Sequence, residues 1–327
     1  MKRIASVAIG CAFLGVCVHA RTQTPAAAAS GVTLRYGWTK GDVLKYRMAL
    51  HSDTKMTGMP GAEAASFGQT MTQQITLAVD DVDAFGTATL TETVTAIRTE
   101  INGPMGRMVF DSASPAPAPT DPMSTAMAKS FSALVGAPVT IVIAADGAVQ
   151  KVEGASRIME KIVAGIGSDA AAGPVEQILK SMFSDEALRS MTEQAFTRFA
   201  PQPVKVGGTW NGRIELGNQA IGKVAGALSF TLKSVEGTGN AARATIGVAM
   251  VLTQTTAPPP GPMNMTLKLG DSRGDGEVLF DLGRGRIVKS AMTTGMTSTV
   301  SMTGADGAPV TINNNAKTTV TLELVDR

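Results

Sequence analysis

Histidine and cysteine, the side chains that most often carry acid–base or metal chemistry, number only two each in 327 residues. Cys11, Cys17 and His19 fall in one N-terminal apolar run, so His51 stands alone beyond it. One histidine without a cysteine cannot build a structural zinc site of the usual ligand types. No Gly-x-Ser-x-Gly elbow offers a nucleophile for it to activate. His51 also shares a strand face with Lys45 and Arg47, and alternation makes that the wet face. No catalytic residue is assigned.

Carboxylates cluster twice. "DDVD" (Asp80, Asp81, Asp83) sits between two strand patterns, where acidic residues commonly start turns. "DSRGDGE" places Asp271, Asp275 and Glu277 on a glycine-rich loop, which makes them weak candidates for calcium, without the alternating ligand order of an EF-hand. Glu92 lies between Leu90 and Val94 on an apolar strand face. Turned inward it must pair or bind something, because an unpartnered buried carboxylate is costly. A barrel rim or a bulge would expose it harmlessly, and that reading is preferred.

Methionine is abundant, at 18 residues against 4% aromatics. Met56 and Met59, Met105 and Met108, and Met263 and Met265 stand close enough to raise copper(I), since thioethers are soft ligands. Met292, Met296 and Met302 instead share a strand face with Val288 and Val300, which suits the lining of a core or cavity. With Glu92, these three are the candidate ligand-lining residues. No phosphate loop, dinucleotide fingerprint or paired-acid constellation is visible, so no cofactor is implied.

The elements that position these residues begin after "MKRIASVAIGCAFLGVCVHA". Its basic start, short apolar run and small residues at Val18 and Ala20 predict a signal peptide over residues 1–20. A retained anchor, or lipidation at one of its cysteines, is the lesser alternative. Without Lys2 and Arg3, 27 cations face 27 anions, a balance with no basic footprint for nucleic acid. No other run is long and apolar enough to span a bilayer as a helix. The mature chain is therefore expected to be exported, with no thiol and no transmembrane segment.

Residues 21–30 read as a flexible tether. Residues 31–327 read as one β-rich domain. Strands with period-two alternation are predicted at Val32–Trp38, Leu44–Leu50, Ile75–Val79, Thr87–Ile97 and Gly106–Asp111, with a hairpin turning at Asp146–Gly147. Helical spacing appears in "PMSTAMAKSFSALVG", with Asp121 placed to cap it, and in "SRIMEKIVAGI", "PVEQILKSMF" and "SDEALRSMTEQAFTRF".

Beyond Pro201 the strand pattern returns in similar order. "VGGTWNGRIEL" answers "KGDVLKYRMAL", "LSFTLKSVEGTGNAARATIGVAMVL" answers "QITLAVDDVDAFGTATLTETVTAI", and "GEVLFD" answers "GRMVFD". These matches predict two similar halves, 31–154 and 201–327, joined by a helical segment over 155–200. The expected class is α+β, mainly antiparallel: a curved half-barrel of two β-meanders with a helical cluster inserted between them.

The elements "LRYGWTKGDVLKYRM", "FDSAS", "IAADGAVQKVEG", "FAPQPVKVGGTW" and "FDLGRGRIVKS" together resemble an uncharacterised family of exported bacterial proteins. That resemblance implies no catalytic or binding residue. The architecture is more faintly similar to the LolA-type periplasmic lipoprotein carriers, which hold acyl chains. The expected role is that of an exported non-enzymatic protein holding a lipid or other apolar or amphiphilic ligand. A structural or adhesive envelope domain without a ligand is the alternative, and a metal binder or hydrolase ranks behind both.

Overall fold

The computed structural model describes residues 31–58, 64–104, 106–114, 122–166, 184–218, 222–256, 266–303 and 309–326. The expected signal and tether, residues 115–121 and 257–265 of the proline-rich connectors (Asp121 included), and the segment "PVEQILKSMF" lie outside them.

Thirteen antiparallel strands form one sheet among these residues. They are β1 (Val43–Thr57), β2 (Ala64–Val82), β3 (Ala88–Gly103), β4 (Gly106–Asp111), β5 (Pro138–Ile143), β6 (Val149–Glu153), β7 (Thr209–Asn218), β8 (Gly222–Glu236), β9 (Arg243–Thr256), β10 (Thr266–Leu269), β11 (Ser272–Asp281), β12 (Arg286–Thr303) and β13 (Pro309–Asp326). Their spatial order is β6-β5-β3-β2-β1-β13-β12-β11-β9-β8-β7, with β4 beside β3 and β10 beside β12. The sheet is large, curved and open, not closed into a barrel. The last strand, β13, pairs with the first, β1, and so joins the two halves into one surface.

Among the described residues there are three α-helices: α1 (Pro122–Leu134), α2 (Ala155–Ile166) and α3 (Asp185–Ala195). α3 begins where its sequence asks it to. The Ser184 hydroxyl accepts from the Ala187 amide at 3.1 Å, and Asp185 and Glu186 lie in the positively charged first turn. It ends at Ala195, earlier than the helical pattern suggested. Phe196–Phe199 run on as an extended strap, because Phe196 and Phe199 are drawn into the aromatic core.

Two core clusters account for most of the burial. The first gathers Leu34, Tyr36, Phe199, Phe230, Leu232, Ile246 and Phe280, with edge-to-face contacts of 5.7 Å for Tyr36–Phe280 and 4.7 Å for Phe199–Phe280. The second lies under the first half and includes Leu44, Tyr46, Leu77, Leu90, Ile141 and Val152. Each such side chain removed from water contributes about 1.5–3 kcal/mol. α1 and α2 cover the first half through Ala133, Ile158 and Ile162, and Phe131 stacks on Phe110 of β4 at 5.6 Å.

One predicted strand is corrected. Val32–Trp38 alternates as expected, with Leu34 and Tyr36 buried, but it is no strand of the sheet. It makes one bridge, Val32 to Val204, and is otherwise held by the amides of Tyr36 and Gly37, which donate to the Ala145 and Gly285 carbonyls. Alternation reports which side chains are buried, and an extended segment lying across strand ends satisfies it as well as a sheet strand does.

The openings of the two meanders share one backbone pattern. Gly41 (φ 89°) and Gly207 (φ 84°) both adopt positive φ. The Gly41 amide donates to Val79 and the Val79 amide to Asp42; likewise Gly207 donates to Leu232 and Leu232 to Gly208. A register shift follows at once in each case, between Val79 and Asp81 and between Leu232 and Ser234.

Candidate functional site

A hollow of about 690 Å³ opens on the concave face under the second half. Its floor follows one register row across six strands, Val320 of β13, Met292 of β12, Gly276 of β11, Val248 of β9, Phe230 of β8 and Trp210 of β7, and Met48 of β1 lines it from the neighbouring row, opposite Leu322. The next row outward is Ser52, Thr318, Thr294, Gly274, Met250, Leu228 and Gly212. Gly274 and Gly276 put bare backbone in mid-floor, and the thioethers of Met250 and Met292 lean over the places their Cβ atoms would take, at 3.1 and 3.0 Å. Glycine thus stands at two positions where alternation calls for an inward side chain, and the two thioethers take up the room it leaves.

The roof is the last turns of α3 and the strap that follows. α3 packs against both edge strands, β6 and β7, and so spans the gap in the open sheet. The Ser190 hydroxyl donates to the Glu215 carbonyl on the free edge of β7 (2.7 Å), where the sheet supplies no partner. The strap is fixed on both sides: the Trp210 indole N–H donates to the Arg198 carbonyl (2.8 Å), the Phe199 amide to Asp146 (2.8 Å), and the Thr197 amide to the Tyr36 hydroxyl (3.0 Å). Burial pushes the Tyr36 and Tyr46 hydroxyls well above their ordinary pKa, so both remain protonated. Tyr46 donates to the Ile287 carbonyl at 3.1 Å.

The wall carries charge at its rim. Arg189 pairs with Glu193 (2.9 Å), Arg198 with Asp146 (3.2 Å) and Arg213 with Glu215 (3.4 Å). Among the described residues, the hollow thus has a mostly apolar floor under a charged rim.

The structure distributes the sequence candidates unevenly. Met292 lines the hollow. Met296 lies one register step past the second row, opposite Ala316, and is 39% exposed outside it. Met302 stands on β12 opposite Val310, and its side chain lies outside the described residues. Val288 is not in phase with them, because β12 bulges there: Phe280 pairs with Ile287 and Leu279 with Lys289, so Ile287 faces inward. Of the methionine pairs raised for copper, Met59, Met105, Met263 and Met265 lie outside the described residues.

Glu92 is corrected in the opposite sense. It is half-buried on the inward row Leu44–Leu77–Glu92–Val139, under the first half and away from the hollow. A bulge does occur on β3, but at Thr95, where it keeps Val94 and Ile97 both inward and leaves Glu92 facing the core. Burial raises its carboxyl above the usual range, and no hydrogen bond or ion pair among the described residues offsets that.

The weak calcium candidates do not converge. "DSRGDGE" is mostly strand β11, so Asp271, Asp275 and Glu277 line up along the outer face. Asp271 pairs with Arg273 at 2.9 Å and Glu277 with Lys233 at 2.7 Å. Among the described residues no cluster of three or more His, Cys, Asp or Glu side chains is placed to hold a metal. His51 is exposed beside Asp53 (3.0 Å) on the outer face, as alternation required. In "DDVD" only Asp83 makes the turn, accepting from the Phe85 and Thr87 amides at 2.8 Å; Asp80 and Asp81 lie in the last residues of β2, and Asp81 pairs with Lys40.

Sequence reasoning missed the Trp210–Phe230 stack (5.4 Å), the strap, and the role of Gly274 and Gly276. The signal was present in the glycines, which alternate with charged residues along an unbroken strand pattern.

Residues 86–316 match a family described as "Family of unknown function (DUF6263)". No curated protein matches the chain. Several solved structures are similar, two of them as follows. A structure titled for lipid–protein interactions in lipovitellin aligns at 11% identity and a TM-score of 0.40, covering 88% of this chain and 25% of that one, so the chain spans about a quarter of its length. The protein DynF, from the dynemicin biosynthesis pathway of Micromonospora chersina, aligns at 6% identity and a TM-score of 0.20, covering 90% and 86%. Neither likeness is close enough to carry an argument. Among the described residues no helix is long and apolar enough to cross a membrane.

Proposed function

The chain belongs to this family of unknown function, and on that premise we propose that it is an exported, non-enzymatic protein that binds an apolar or amphiphilic ligand in the concave hollow. One observation carries the reading: about 690 Å³ of space with an apolar floor, lying under a helix that closes the sheet edges without filling the interior. Binding pockets of this kind run from about 300 to 1,000 Å³ and combine an apolar lining with a few polar groups. The basic, apolar and small-residue order of residues 1–20 supports export. The matched turns at Gly41 and Gly207 support two halves built on one unit.

The test is extraction of the protein purified from its native cell, with mass spectrometry of the organic phase and N-terminal sequencing of the polypeptide. A stoichiometric apolar compound and a mature N-terminus near Arg21 are expected. A clean extract, together with no uptake of a neutral apolar fluorophore by the delipidated protein, would leave a structural envelope domain as the better reading.

A further inference from the structure

We infer that the hollow takes an uncharged amphiphile, an apolar chain carrying one neutral oxygen group, with that group held by the Thr294 hydroxyl; this rests on the ligand-binding reading above. Ser290, Met292 and Thr294 are successive inward residues of β12, opposite Val278, Gly276 and Gly274 of β11, and all three line the hollow. The Thr294 oxygen stands over bare backbone, 3.0 Å from where a Cβ on Gly274 would lie, and the Met250 methyl is 3.1 Å from the same point. Its hydroxyl has no hydrogen-bond partner among the described residues. Directly across on β13, the Thr318 hydroxyl shares a hydrogen bond with Ser52 at 2.9 Å, so hydroxyls run across three strands at this level. Beyond that row Met296 is 39% exposed, whereas Ser290 on the other side backs onto buried Phe280 and Ile287. The open side therefore carries the polar group. From there the floor runs over Met292, Val248 and Phe230 to Trp210, four strand-to-strand steps or roughly 19 Å.

Charge argues that the head is neutral. Arg189 and Arg198 share the wall with their own carboxylates, Glu193 and Asp146. Arg213 and Glu277 stand on the outer face of the sheet, where alternation puts them, and pair there with Glu215 and Lys233. Every charged side chain around the hollow thus has its counter-ion already, and an ionic head would find no unpaired charge among the described residues. Carrying a carboxylate or an ammonium into such a space gives up its hydration without return. A neutral oxygen gives up far less and recovers a hydrogen bond at Thr294, whose hydroxyl both donates and accepts. One well-placed polar group on an otherwise apolar lining is also what orients a ligand in sites of this kind.

The experiment uses the full-length delipidated chain and a neutral apolar fluorophore displaced at pH 7 by 1-dodecanol, 1-chlorododecane, dodecanoate or dodecyltrimethylammonium. Dodecanol should displace it at a concentration at least about tenfold below either ion, the cost of an unpaired charge in the site. Thr294→Val keeps the branched shape and removes the hydroxyl. It should weaken dodecanol about fivefold, the value of one neutral hydrogen bond, and leave chlorododecane unchanged. The control is Thr293→Val, the same change one residue away, where the hydroxyl meets Thr319 on the outer face at 3.1 Å; dodecanol should bind it as it binds the parent. An ion that binds as tightly as dodecanol overturns the neutral head. A Thr294→Val protein that still prefers dodecanol to chlorododecane as the parent does, or an equal loss in Thr293→Val, overturns the place given to it. Fluorophore uptake that dodecanol cannot reverse sinks this inference and leaves the ligand-binding reading standing, whereas no uptake at all sinks both.

Discussion

Val320→Trp tests whether the concave space is empty. Val320 is half-buried on the floor, between Leu50 and Met292 in register. Tryptophan adds roughly 100 Å² of surface over valine. Fully covered, that would contribute about 2.5 kcal/mol at 25 cal/mol per Å². Half-covered, and set against about 0.5–1 kcal/mol of lost side-chain freedom, the net is close to zero or slightly stabilising. In a packed interior the same change forces side chains off their rotamers and costs about 1–3 kcal/mol or more. Ile246 is the control, because it is fully buried in the aromatic cluster. Thermal unfolding followed by circular dichroism should therefore show Val320→Trp within about 2 °C of the parent and Ile246→Trp several degrees lower, at about 2 °C per kcal/mol for a chain of this size. Val320→Trp should also lose most of its uptake of an apolar fluorophore. A Val320→Trp protein as unstable as Ile246→Trp would mean that the space is already filled, and the binding argument would fall with it.

Three further outcomes are expected. Glu92→Gln should raise the melting temperature at pH 7 and leave it unchanged near pH 4. A carboxyl whose folded pKa lies above its unfolded value binds more protons when folded, so its stability contribution is full below the unfolded value and is lost as pH rises through the folded one. A Glu92→Gln protein with a parallel but lower pH profile would show that the carboxylate is paired. Phe280→Ala should cost about 3–5 kcal/mol in guanidinium unfolding, since the ring is fully buried against Tyr36 and Phe199. Gly147→Ala should cost more than about 2 kcal/mol and speed hydrogen exchange at the Thr197 and Phe199 amides, because φ is 87° and a Cβ would run into the Thr197 carbonyl and the Tyr36 ring.

Much of the fold was readable because local chemistry and tertiary demand agree. Gly41 and Gly207 announced turns that require positive φ, and Asp146–Gly147 announced its hairpin. Alternation placed Leu44, Tyr46 and Leu77 inward and Lys45, Arg47 and His51 outward. Where the reading failed, the missing information was two-dimensional. Glu92 was given an exposed rim because a lone carboxylate between apolar neighbours is costly, yet the bulge that might have turned it out falls at Thr95 and depends on what β2 presents opposite. The same holds for Val288, whose phase is broken by a bulge against β11. "DSRGDGE" read as a loop because glycine and aspartate usually mark one. In the sheet its charges sit on the wet face and its glycines face in, and only the register with Met250 and Met292 reveals why.

The position of the hollow follows from where the chain supplies its helices. Both meanders present apolar inner faces, and an exposed apolar face of that extent must be covered. The first half is covered by α1 and α2, which bring Ala133, Ile158 and Ile162 down toward Val139 and close the space. The second half has no α-helix of its own among the described residues, only a 3-10 turn at Gly239–Ala241. It borrows α3 and the strap: the strap anchors Phe196 and Phe199 in the aromatic core, and α3, held to the edge of β7 through Ser190, spans the concavity. None of the α3 residues is buried, as a roof standing off its floor requires. A helix of similar length with a broad apolar face would have packed down onto Phe230 and Val248 and erased the cavity. The polarity of α3 is thus a condition for the space beneath it, and the same polarity sets Arg189 and Glu193 at the rim where a ligand's head would meet them.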